Sequence, residues 1–218
     1  MHIRNRTASL AFKLFIALVG TIALLYATGL FTGGSNTTFL CYFTNISNIA
    51  VAAYFWCAAI MIITGRVDGS EPWAPKLKYA LTLAITVTWL VAHFMLDGGL
   101  VFQDGVFNPD MLVLHYIVPI CTIADWLLFD AKGHMGIYDP LFWPLFPLVY
   151  LVYLCVLVCG FGISSSVDGR WPYPFIDFDA LGVPMVLINV IILVVAFVML
   201  GLVYVLIDKQ MVKHAKSS

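Results

Sequence analysis

A hydroxyl beside an imidazole is the smallest kit for acyl transfer, and this sequence places both inside otherwise apolar runs. Thr44, Ser47 and Asn48 stand at i, i+3 and i+4, so a helix carries them on one face. His93 falls four residues before Asp97, His115 lies in a later run, and Asn189 in the last. An imidazole that takes the proton of an attacking hydroxyl turns that oxygen into a nucleophile toward an ester carbonyl. Such general-base assistance contributes roughly 10²–10⁴ in rate. An amide such as Asn48 or Asn189, holding the developing oxyanion, adds about 10²–10³.

The elements that must position these groups are six long apolar runs, approximately 9–31, 39–64, 77–96, 111–129, 141–163 and 183–207. Each reaches the ~20 residues with which a helix crosses the ~30 Å hydrocarbon core of a bilayer. Lipid offers the backbone no hydrogen-bond partners, so helices are predicted and isolated strands are not. Hydrophobic residues make up 62% of the chain, charged residues 11%, and the mean hydropathy is +0.97, which excludes an ordinary soluble domain. The expected fold is all-α, a polytopic membrane bundle of six transmembrane helices forming a single domain over 1–218. No nucleic-acid partner is expected.

Charge gives the orientation. Arg4, Arg6, Lys13, Arg66, Lys76, Lys78, Lys132, Lys209, Lys213 and Lys216 fall on the side of the termini, and only Arg170 on the other. This imbalance in short loops predicts cytoplasmic N- and C-termini. The opposite side collects Asp97, Asp104, Asp110, Asp168, Asp177 and Asp179. The first run is too long for a cleavable signal and reads as the first span. Cys41, Cys57, Cys121, Cys155 and Cys159 lie in apolar runs with no CxxC, as packing residues rather than a disulfide framework or metal site. Asn36-Thr37-Thr38 is a glycosylation triplet in an outer loop.

With that orientation, the polar groups share a depth. Thr44, Ser47 and Asn48 open the second span, His93 nears the outer end of the third, His115 starts the fourth, and Asn189 is near the start of the sixth. At 1.5 Å per residue they lie ~6–13 Å below the outer interface. Polar groups inside a membrane face the bundle interior, so these are expected to meet.

Each has a simpler reading. Thr44 could bond the carbonyl of Leu40, while Ser47, Asn48 and Asn189 could be interhelical hydrogen-bonding groups. His93 with Asp97 could be a helix-end pair, and Asp125, near the inner end of the fourth span, a structural carboxylate. Arg170, the sole outer cation, could hold a fatty-acid carboxylate or pair with Asp168. The outer loop 164–182, with Trp171-Pro172-Tyr173-Pro174-Phe175, is either an aromatic belt in the headgroup zone or a lid.

Tyr42-Phe43-Thr44-Asn45-Ile46-Ser47-Asn48, His115-Tyr116-Ile117-Val118-Pro119, Asp125-Trp126 and Trp171-Pro172-Tyr173-Pro174-Phe175 occur in that order. Together they resemble a family of bacterial six-span proteins. More distantly, they are similar to the androgen-induced and androgen-dependent TFPI-regulating proteins of animals. Those are membrane threonine hydrolases of fatty acid esters of hydroxy fatty acids. The resemblance runs from the second span to the sixth and implies Thr44 as nucleophile and His115 as base. The interval from His115 to the proline is one residue shorter here.

The expectation is therefore an integral protein of a bacterial plasma membrane that hydrolyses lipid esters near the outer leaflet. Its partners would be membrane lipids or a lipid-ester substrate, with no cofactor and no metal. Three alternatives stand beside it. His93 and His115 could ligate a haem axially. The bundle could be a transporter, although the spans offer little charge for an ion path. It could also bind lipids without catalysis.

Overall fold

The structure, a computed structural model, describes residues 2–31, 33–95, 101–103, 106–165 and 169–217. Six helices long and apolar enough to cross a membrane make an integral membrane protein: α1 (Arg6–Ala27), α2 (Phe43–Ile63), α3 (Pro75–Phe94), α4 (Pro109–Phe129), α5 (Asp139–Gly160) and α6 (Phe178–Ser217). Their limits follow local chemistry. Asn5 caps α1 by accepting from the Ala8 amide, and prolines stand in the first turns of α3 and α4, where a missing amide is harmless. The run expected to start at 39 is divided: Phe39–Cys41 is a separate 3₁₀ turn, and α2 starts only at Phe43.

α6 is longer than its apolar run. Its first turn breaks at Gly182, whose φ of 72° suits glycine, and the helix restarts with Pro184 in its new first turn. The polar tail from Asp208 onward continues it. The extended pairing among the described residues is a two-residue antiparallel ladder, Phe102 with Phe107 and Gln103 with Val106.

Lipid is as apolar as leucine, so helices in it associate through close packing and polar contacts rather than by hiding from water. Small residues supply the close packing between α1, α2 and α4: Ala17, Ala58 and Val51 are buried with Ile16, Phe55 and Val118. Gly201 does the same on α6, where a Cβ would stand 2.8 Å from Pro140 and 3.0 Å from the Trp143 ring. The outward side of α6 is apolar and exposed, as at Leu187, Ile191, Val195 and Met199. That is a lipid-facing surface.

The polar contacts concentrate at two ends. At the end holding both termini, Ile3 donates its amide to the Leu128 carbonyl, and Asp208 accepts from the Gly133 amide. Here the sequence expectation needs correction. Lys13 and Lys78 are not loop cations but fully buried ones, 2% and 1% exposed, and both reach the fully buried Asp125. Lys13 Nζ lies 2.8 Å from Asp125 Oδ1 and 3.0 Å from Ser9 Oγ. Lys78 bonds the other Asp125 oxygen and lies 2.7 Å from Asp130 Oδ1. Two cations face two carboxylates, so the cluster is neutral and ties α1, α3 and the end of α4 together.

Removing one member of a buried ion group leaves its partners uncompensated, which typically costs about 3–5 kcal/mol. Asp125→Ala is expected to destabilise the bundle by that order, seen as a lowered unfolding midpoint in detergent.

Candidate functional site

Tyr42 gives α2 no side-chain cap, and its carbonyl serves the Asn45 and Ile46 amides, so the Phe43 amide needs an acceptor from elsewhere. The acceptor arrives from far along the sequence. Tyr173 places its hydroxyl oxygen 3.0 Å from the Phe43 amide. Its ring stacks on Phe175 at 5.3 Å and meets Tyr42 edge-on, and the residue is 6% exposed. Prolines on both sides fix φ there and stiffen the segment that carries it. Burial pushes the Tyr173 hydroxyl up to about 12, so it holds its proton at any ordinary pH.

One residue later, Thr44 Oγ1 lies 3.2 Å from His115 Nε2. The threonine hydroxyl does not turn back to Leu40, which belongs to the separate 3₁₀ turn. His115 comes from an irregular stretch of α4. Val113–Ile117 is a π turn, with the Val118 amide reaching back to the Val113 carbonyl. Pro119 gives the physical reason. It has no amide for the His115 carbonyl, and its ring would press on that carbonyl in a regular α-helix. π turns of this kind recur at functional sites.

The other histidine nitrogen fixes the tautomer. Nδ1 lies 3.1 Å from the Met111 carbonyl oxygen. A carbonyl only accepts, so Nδ1 carries the proton and Nε2 presents its lone pair to Thr44. This is the arrangement a general base requires: an accepting nitrogen at the hydroxyl, and a donor held on the far side of the ring.

The remaining polar groups position this pair. Asn48 Nδ2 donates to the Thr44 carbonyl at 2.8 Å and to the Leu114 carbonyl at 3.0 Å, tying α2 to the π turn beside His115. Its Oδ1 is buried without a partner among the described residues. Ser47 Oγ donates to the Thr44 carbonyl at 3.0 Å and lies 3.1 Å from Thr88 Oγ1 on α3. Ser47, Asn48, Thr88 and His115 are all buried, and Thr44 is half-buried.

Several expected members stand elsewhere. The Asn48 amide is not free to hold an oxyanion, because both its bonds go to backbone carbonyls. Asn189 donates to the Phe175 carbonyl at 2.9 Å, pinning the loop before α6, and is not among the residues lining the cavity at Thr44. His93 is exposed and 3.3 Å from the Tyr116 hydroxyl, while its expected partner Asp97 lies outside the described residues. His93 and His115 take different partners, the Tyr116 hydroxyl and the Thr44 hydroxyl. Arg170 binds Asp179 through two nitrogens, at 2.9 and 2.6 Å, rather than standing free for a carboxylate. Asp168 lies outside the described residues.

Thr44 opens onto a narrow apolar cavity of about 100 Å³ between α3, α5 and α6. Val91 and Ala92, Leu148 and Leu151, and Val194 and Phe197 supply its walls, and Tyr173 stands with Thr44 at its lining. Among the described residues, no charged side chain lines it. The segment 171–176 packs over this end, with Trp171, Tyr173 and Ile176 buried against Tyr150 and Leu154. Trp171 and Tyr173 are therefore core residues, not a belt.

Comparison with models of known protein families, with curated proteins and with solved structures finds no match. The site must be read from its own chemistry. Sequence reasoning missed Tyr173 and Thr88 as neighbours of Thr44. The Pro-Tyr-Pro spacing marks a stiffened segment but does not name its neighbour. Nothing in the sequence pointed to Thr88.

Asn48 offers a direct check on this positioning. Asn48→Leu keeps similar bulk but leaves the Leu114 carbonyl unpaired, which costs about 1–3 kcal/mol. The expected result is a lower detergent unfolding midpoint together with weaker Thr44–His115 coupling, read as a changed His115 imidazole signal in NMR.

Proposed function

We propose that this chain is a membrane-embedded lipid-ester hydrolase with Thr44 as nucleophile and His115 as general base. The single observation that carries the reading is the 3.2 Å Thr44–His115 contact with its tautomer set by Met111. In the first half-reaction, Thr44 Oγ1 bonds to the ester carbonyl carbon as its proton passes to His115 Nε2. The carbonyl electron pair moves onto oxygen and returns as the bond to the alcohol breaks. The alcohol leaves with the proton from His115. Water then attacks the acyl-threonine with His115 again as base, and a carboxylic acid departs. The Nδ1–H bond to Met111 holds the ring in place while it is cationic.

The cavity supports the choice of substrate class, since a narrow passage lined by Val, Leu and Phe accepts an acyl chain and offers a charged group nothing. Fatty acid esters of hydroxy fatty acids, implied by the resemblance to the animal threonine hydrolases, fit this description. The cation imbalance supports cytoplasmic termini, which sets Thr44 toward the outer leaflet, and the resemblance to bacterial six-span proteins implies a bacterial plasma membrane.

The test is hydrolysis of a fatty acid ester of a hydroxy fatty acid, and of a simple acyl ester, by detergent-purified protein. Thr44→Ala and His115→Ala are each expected to lower kcat by about 10² or more. Equal turnover in all three proteins overturns the reading. Tight binding of intact ester with no turnover would make the chain a lipid-binding protein.

A further inference from the structure

The acyl-transfer reading needs a donor for the oxyanion; Asn48 gives both its N–H groups to backbone carbonyls, and Asn189 is not among the residues lining the cavity at Thr44. We propose that the Tyr173 hydroxyl is that donor, holding the carbonyl oxygen of an ester whose acyl chain occupies the apolar cavity. The proposal rests on the assignment of Thr44 and His115 above.

Three observations converge on Tyr173. Its oxygen is the acceptor in the bond from the Phe43 amide, which leaves its proton directed to the Thr44 side of the cavity. Thr44 is the polar residue beside that hydroxyl, through both its side chain and its backbone. Tyr173 and Thr44 line the same cavity, so a carbonyl carbon within reach of Thr44 Oγ1 brings its oxygen toward the tyrosine.

The surroundings strengthen the donor. A hydroxyl whose oxygen already accepts a hydrogen bond is polarised and gives its proton more strongly. The site lies at the start of α2, where the helix dipole presents its positive end to a developing negative charge. The tyrosine is buried, and its proton stays on it through the working range.

The balance is simple. As the Thr44 Oγ1–carbon bond forms and the threonine proton moves to His115, the carbonyl π pair becomes the oxyanion. Tyr173 gives that oxyanion a hydrogen bond and keeps its own proton. The bond lapses when the oxyanion collapses and the alcohol leaves.

Loss of one such donor typically lowers kcat by about 10²–10³. Tyr173→Phe is therefore expected to reduce kcat by that factor with KM little changed, the mark of an interaction made in the transition state. It should also weaken binding of an acyl trifluoromethyl ketone, whose adduct with Thr44 carries the oxyanion, by a similar factor. A residue serving only to cap α2 would move the unfolding midpoint without that selective loss.

A second variant covers misfolding of the first. Tyr173→2,3-difluorotyrosine, made by codon suppression, keeps the oxygen that caps α2 and sharpens the donor. It is expected to fold and to bind the ketone more tightly than wild type. Full kcat in Tyr173→Phe, with Thr44→Ala inactive, overturns the Tyr173 assignment and leaves the Thr44–His115 reading standing. Equal turnover in wild type and Thr44→Ala overturns both.

Discussion

A carboxylate enclosed by two lysines decides where the helices of this bundle stand. Asp125 is fully buried and meets Lys13 from α1 and Lys78 from α3. Charges at such a position are tolerable only when paired and hydrogen-bonded, so the three helices must meet at one depth. The second anchor of α4 is at its other end, where Asn48 and Thr44 hold the π turn. With both ends held, the imidazole between them has little room to drift. The hydroxyl and its base are brought together by helices whose own register is set by charge about half a span away.

The same economy appears at the start of α2. Its uncapped amides could have been satisfied by a serine or aspartate before Phe43. Instead the acceptor is a tyrosine 130 positions further along. A local cap would stabilise the helix and nothing more. A distant one makes the helix start depend on the loop before α6, and the loop on Asn189 and the Arg170–Asp179 pair. Folding of the last two spans is thereby tied to completion of the cleft around Thr44.

The six spans were legible because hydrocarbon thickness imposes a length and the backbone allows one conformation. Thr44 and His115 were legible as a pair because equal depth put them in one polar layer and the family resemblance singled them out of it. Other parts were hidden for definite reasons. Lys13 and Lys78 sit near span ends, where counting cations by loop assigns them to the interface. Their burial follows from Asp125, a tertiary fact. Asn189 shares the depth of the site but faces the loop before α6, since depth fixes height and not azimuth. Tyr173 could not be placed beside Thr44 from local pattern, because the link spans almost the whole bundle.

The π turn at Val113–Ile117 bears on how lengths in this helix should be compared. A helix turns by about 100° for each residue. A π turn accommodates one more residue than an α turn would, so it shifts angular phase more than it shifts height. Between His115 and Pro119, a one-residue insertion or deletion is thus a rotation in disguise. Two related chains could differ there by a single position, keep the same six spans and the same loops, and present their histidines to different neighbours.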